Sequence, residues 1–268
     1  MPIIHHHAPI NCLVAVRGHP FDRTAFDAVF QSLEGISATM VDQPAAARLM
    51  NPDGMSGFDV LVLYDMPGLD FEAGEGAPAY LDPEPGVKDG FRALLEQGTG
   101  VVALHHALAG WPLWADYHDW LGGQFLYHPG KVRGREMPDS GYRHEVTHTL
   151  SVVDPAHPVT AGLPASFTFT DELYLASVFE EDVTPLLRSD ARFDDGAYWS
   201  ADLAVRGHMH SAEGWSHPQG SNLVGWAREL LASRLVYLQP GDGPSVYDDP
   251  HYRQLVGNAI RWTAARPD

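Results

Sequence analysis

The first hundred residues alternate unbroken apolar runs with amphipathic stretches, and this restricts the fold more than any other feature of the chain. Ile10–Val16, Ile36–Val41, Phe58–Tyr64 and Gly100–Leu104 are apolar almost throughout. Strands buried on both faces read this way, whereas a strand with one wet face alternates polar and apolar residues. Between these runs, Phe26, Val29, Phe30 and Leu33 recur at three- and four-residue spacing, which predicts a helix capped by Asp22. A second helix is predicted over Val87–Gln97, closed by Gly98. Such alternation predicts an α/β protein, with a mainly parallel sheet covered by helices on both faces.

Beyond Trp111 the pattern loosens. Residues 69–86 and 122–134 read as surface loops, and Trp114–Leu121 as a helix. Short strands are predicted at Val146–Val153, Phe167–Phe169, Val183–Leu187, Leu223–Trp226 and Leu235–Leu238, with a closing helix over His251–Ala264. No repeat, low-complexity tract or linker divides the chain. The 268 residues are therefore expected to form one domain with elaborated loops, residues 1–9 (with His5, His6 and His7) making an N-terminal arm.

Charge excludes several partners. Lys and Arg number 17 against 35 Asp and Glu, a formal charge of −18. Phosphate recognition and anionic lipid surfaces both require the opposite balance, so neither nucleic acid nor a membrane is an expected partner. No segment is long and apolar enough to span a bilayer and no signal sequence opens the chain, so the cytoplasm is the expected location. The single cysteine, Cys12, lies inside the first apolar run and reads as a buried small hydrophobe.

In an open parallel sheet, ligands bind outside the carboxyl ends of the strands. His19 and Asp22 follow the first strand, Asp65 the third, His105 and His106 the fourth, and Gln239 to Asp242 the last. Taken singly, Asp22 is a helix cap and Asp65 a turn residue; together, four strand ends bring ionisable groups to one rim. The sharpest segment is Gly100-Val-Val-Ala-Leu-His105-His106-Ala107, a buried strand breaking into small residues as at a nucleophile elbow. Histidine at the bend suits acid–base work or metal ligation.

Two further histidine patterns invite a metal reading. His144-Glu-Val-Thr-His148 matches H-E-x-x-H literally, but its β-branched residues predict a strand. There the two imidazoles share a face about 13 Å apart, too far for one ion. His208-Met-His210 resembles a chelating pair, although its polar, glycine-rich surroundings fit a solvated loop, and His217 reads the same way.

The segment Gly100–Ala107, then Trp111, Tyr117–Gly123 and His128-Pro129, resembles the trehalose-utilisation (ThuA-like) family. So do His157–Leu163, Asp171-Glu172-Leu-Tyr174 and the ending Tyr252–Trp262, so the likeness runs over nearly the whole chain. It implies a flavodoxin-like fold of the class I glutamine amidotransferase type. It also implies disaccharide catabolism, with sugars oxidised to the 3-keto form as the expected substrates. Amidotransferases place a cysteine where His105 stands, so thiol-based glutamine hydrolysis is not expected. Many relatives carry Gly-His where this chain has Gly241-Asp242.

His105, Asp171, Glu172 and Asp242 are thus the candidate catalytic residues. Adjacent strand residues face opposite ways, so either Glu172 with Tyr174 or Asp171 alone reaches a given pocket. His19, Asp65, His106, Trp111, His128, Tyr174 and Gln239 are candidate substrate contacts, Trp111 as a stacking surface for a sugar ring. A divalent Zn, Mn or Ni ion is a possible cofactor, with His105, His128 and His208 as candidate ligands. A small carbohydrate is the expected partner, with a homo-oligomer as a further possibility. A metal-dependent hydrolase and a non-catalytic sugar-binding module are the alternatives.

Overall fold

The computed structural model describes residues 9–74 and 77–265; His5, His6 and His7, with nearly all of the expected arm, lie outside the described residues. Five strands form a parallel core: β1 (Ile10–Arg17), β2 (Ile36–Asp42), β3 (Val60–Asp65), β4 (Gly100–Leu104) and, late in the chain, β9 (Ser233–Leu238). Between β4 and β9 in sequence lie β5 (Gly141–Val152), β6 (Ser166–Leu175), β7 (Thr184–Ser189) and β8 (Leu223–Leu230). The order across the sheet is β6-β5-β7-β8-β9-β4-β3-β1-β2, with the short Trp199–Ser200 beside β5. The core pairs in parallel, and β8, β7, β5 and β6 extend it as an antiparallel wing. The expected α/β class therefore holds, with a mixed sheet.

Period-two alternation sends each core strand into two apolar layers. Cys12, Val14 and Val16 face the layer built on helix α1 (Arg23–Gln31) and the C-terminal helix α4 (Pro250–Ala264). Leu13 and Ala15 face the other layer, under α2 (Val87–Gln97) and α3 (Ala115–Leu121). Helices thus cover both faces. Asp22 caps α1, its carboxylate accepting from the Ala25 amide at 2.9 Å, and Gly98 closes α2 at φ +91°. No helix among the described residues is long and apolar enough to cross a membrane.

Cys12 is fully buried, and burial, with Asp59 nearby, pushes its thiol up to about 12. A thiolate is the reactive form, so native protein should not react with a thiol reagent at pH 8, while urea-unfolded protein should take up one equivalent. Labelling of the folded chain at the unfolded rate would show the strand open to solvent.

Candidate active site

The elbow follows from a backbone that cannot continue. β4 ends at Leu104 and the chain turns at once into a short 3-10 helix, His105–Ala109, with His105 at φ +35°. A left-handed conformation is costly for a non-glycine residue and holds only where the surroundings fix it. Here Tyr237 Oη donates to the His105 carbonyl at 3.1 Å, and the ring Nδ1 donates to the Gln239 carbonyl. Both partners come from the end of β9, so the neighbouring strand sets the imidazole. Its Nε2 then faces Glu172 Oε2 at 3.0 Å and Asp242 Oδ1 at 3.7 Å.

Nδ1 can donate to a carbonyl and Nε2 to a carboxylate only when both nitrogens carry protons. Burial alone would disfavour that cation. The hydrogen bond to Glu172 and the charges of Asp242, Glu172 and Asp171 outweigh it, raising His105 to about 9. Glu172 is held below its ordinary value, because the bond from His105 and the charge of that imidazolium overcome its burial. His106 is the opposite case: burial, then the charges of His105 and His19, lower it well below the usual imidazole range. It stays neutral, with Nδ1 3.1 Å from Tyr174 Oη and Nε2 3.6 Å from Asp242 Oδ1. The His19 ring lies 4.0 Å from the His106 ring, tilted by 32°, and is also lowered, mainly by burial.

β6 delivers its two acids to different tasks. Glu172 shares the Tyr174 face and borders the cavity. Asp171, on the other face, accepts from the Gly241 amide at 2.7 Å and the Asp242 amide at 3.2 Å, and so fixes the loop that carries Asp242. Burial pushes Asp171 up to about 7 against the pull of His105 and the Gly241 amide. Gly241 sits at φ +127° with the Tyr252 ring where a Cβ would stand, so the turn admits glycine alone.

Beside this cluster lies a cavity of about 400 Å³. His19, His144, Glu172 and Tyr174 supply its polar end, and Phe71, Phe125, Tyr127, Tyr142 and Met209 much of its wall. A cavity of about 430 Å³, lined by Arg133, Phe179 and His217 among others, contains none of the His105 group.

His144 was missed by the sequence reasoning. The expected strand exists, but its two histidines do not share a face. β5 pairs Arg143 with Leu173 and Val146 with Asp171, one residue more on β5 than on β6, with Glu145 at φ +54°. The bulge reverses the alternation. His148 lies opposite Phe169 and contacts Ser189, whereas His144 Nδ1 reaches Glu172 Oε1 at 3.1 Å. The β-branched run signalled the strand and nothing in it signalled the extra residue.

Several expected contacts fall elsewhere. Asp65 is buried on the opposite face from Tyr64, accepts from Gln43 Nε2 at 2.6 Å, and is pushed up to about 6 by burial. Tyr64, not anticipated, is the β3 residue that packs on His106, with ring centroids 5.0 Å apart. Trp111 packs against Trp114 and Gly68 in the core, not on the cavity, because its left-handed backbone (φ +49°) turns the ring inward. His128 pairs with Asp202 at 2.6 Å, and His208 is exposed on a turn, so of the three candidate ligands only His105 joins the cluster. Gln239 works from behind, its side chain accepting from the Tyr174 amide at 3.1 Å. Four groups could hold a metal ion together: His105, His106, Glu172 and Asp242.

Comparison with known proteins agrees with this arrangement at the level of fold. A ThuA-like protein from Bacteroides uniformis superposes with a TM-score of 0.64 at 18% identity, covering 98% of this chain and 95% of that one. Another from Parabacteroides merdae gives 0.63 at 14% identity, over 96% and 90%. PurLQS from Thermotoga maritima gives 0.53 at 11%, over 96% and 99%. No curated protein matches the chain. The family model described as trehalose utilisation matches residues 13–263, and the chain therefore belongs to the ThuA family.

Proposed function

We propose that the chain is an enzyme acting on a sugar that carries a carbonyl group, by removing a proton from the carbon beside it. The observation that carries the proposal is the double use of Glu172. One oxygen faces the buried His105 imidazolium, and the other holds Nδ1 of His144. His144 lines the cavity with 38% of its side chain exposed, so Nε2 is the atom left to meet a substrate. A carboxylate behind one nitrogen of an imidazole fixes the tautomer that leaves the other free as a base.

The step is a proton abstraction. A C–H bond next to the ketone breaks, its proton passes to His144 Nε2, and the electron pair moves onto the carbonyl oxygen as an enolate. The Tyr127, Tyr142 and Tyr174 hydroxyls around the cavity stabilise negative charge developing there, and the His105 cation, buried behind Glu172 and outside the cavity lining, adds its field. In a 3-keto disaccharide, the enolate can then expel the second sugar from the anomeric carbon; the departing oxygen takes up a proton. Aromatic walls suit the C–H faces of sugar rings.

Proton abstraction can be read without knowing the later steps. Incubated in D2O with 3-keto-trehalose, the protein should replace the hydrogens beside the ketone with deuterium, or form product, as seen by proton NMR. His144→Ala should lower the rate by about 100-fold or more. Binding of the sugar with neither exchange nor turnover would leave a sugar-binding module and remove the enzyme reading.

A further inference from the structure

We propose that His105, His106, Glu172 and Asp242 form a site for one divalent first-row transition-metal ion. Each offers one donor atom, and the four atoms lie within 4.8 Å of one another; among the described residues no other such group forms. They come from distant parts of the chain: the elbow supplies both imidazoles, β6 the glutamate, and the Gly241–Asp242 turn the aspartate.

The unsatisfied atoms point the same way. His106 Nε2 and Asp242 Oδ1 are both buried and lack a hydrogen-bond partner, 3.6 Å apart across the centre of the group. Buried polar atoms are almost always paired, so two orphans facing each other mark a place where something binds. The rear nitrogens are already engaged as in metal centres, where each ligating histidine uses its second ring nitrogen on a protein oxygen. His105 Nδ1 has the Gln239 carbonyl and His106 Nδ1 has Tyr174 Oη.

Charge and size select the ion. Two carboxylates with two neutral imidazoles carry two negative charges, which a divalent cation cancels. Mixed nitrogen and oxygen donors favour Zn, Co, Mn, Fe or Ni over Mg and Ca, which take oxygen. Ligands about 2.1 Å from one ion lie at most about 4.2 Å apart, so the group must close by about half an ångström. Asp242, on a loop with its side chain 27% exposed, is the member able to move. On binding, the ion replaces the proton between His105 Nε2 and Glu172, and that proton goes to solvent. Glu172 Oε1 keeps its bond to His144, so the proposed base is undisturbed and the ion would lie beside the cavity as a Lewis acid for a carbonyl oxygen.

The inference does not depend on the sugar chemistry. The experiment uses full-length chain purified without metal affinity, with His5, His6 and His7 replaced by alanine to remove a competing chelator. Chelator-stripped protein is titrated with Co2+, followed by its visible absorption, by metal analysis and by thermal melting. One equivalent should bind with new absorption bands and a raised Tm, and Zn2+ should displace it. Asp242→Asn and His106→Gln should each weaken binding at least 10-fold while melting normally without metal; His208→Ala should change nothing. Absence of one-to-one uptake overturns the proposal, as does uptake that Asp242→Asn and His106→Gln leave intact. An ion bound by a protein inert towards keto-sugars removes the proposed activity and keeps this site; deuterium exchange by protein that takes up no metal does the reverse.

Discussion

Glu172→Gln should lower proton exchange and turnover by about 1,000-fold. The side chain is the same size, so shape is kept and only charge and donor pattern change. Glu172 accepts from His105 Nε2 with one oxygen and from His144 Nδ1 with the other. A glutamine has one acceptor and one donor. Whichever way the amide turns, one imidazole meets an N–H where it needs an oxygen. If the amide faces His144, the ring adopts the other tautomer and its Nε2 is no longer a base. If it faces His105, the buried cation loses its nearest counter-charge and keeps only Asp242 at 3.7 Å. KM should change little beside kcat, because Glu172 orients the base. Glu172→Asp, which restores the charge at a shorter reach, should recover part of the rate. A glutamine variant with wild-type exchange would show that the His144–Glu172 pair takes no part in the chemistry.

The second large effect concerns stability. His118 donates from Nε2 to the Trp111 carbonyl at 3.1 Å, and His148 contacts Ser189; burial lowers each to about 4 from an ordinary 6.5. A histidine whose folded pKa is depressed favours the fold in its neutral form. Its contribution is complete above pH 6.5 and is lost as pH falls from 6.5 towards 4, where the unfolded chain takes up the proton first. That is about 3 kcal/mol for each residue across the window. The wild-type curve alone does not isolate it, because buried Asp65 and Asp171, raised to about 6 and about 7, work in the opposite direction. The comparison that does is wild type against His118→Gln, in which the amide can still donate to Trp111. Urea unfolding at pH 7.5 and pH 4.5 should show the variant gaining about 2 to 3 kcal/mol on wild type between the two. His148→Gln should behave alike. Parallel curves would mean that these imidazoles reach solvent in the folded protein.

The trehalose-utilisation family and a carbohydrate-related role bound what the site does. Within that bound, the structure separates residues that sequence motifs lump together. Asp171 and Glu172 are neighbours, yet one fixes the loop under Asp242 and the other joins two imidazoles. His105 and His106 are also neighbours, one kept charged by carboxylates and the other kept neutral by burial beside it.

How much of this was legible in the sequence follows from the range of the forces involved. The parallel core, its helices, the capping Asp22 and the buried Cys12 rest on apolar periodicity and local hydrogen bonds, which a run of ten residues carries complete. The strand ends could likewise be located, and with them His19, His105, His106 and the turn at Asp242. What the sequence could not carry was anything set by pairing between distant segments. Asp65 and Tyr64 differ by one place and are both buried, and the pairing of β3 within the sheet, which turns Tyr64 to the α1 and α4 layer, decided which of them meets His106. The antiparallel wing arises because β5 to β8, which lie between β4 and β9 in sequence, add outward from the free edge of β9 and pair with one another. His144 is the clearest case. An H-E-x-x-H string on a strand would place both histidines on one face, and a single extra residue at Glu145 sends them to opposite faces. Local sequence determined that a strand would form there; its register against β6, a contact between segments twenty-odd residues apart, decided that His144 would reach Glu172.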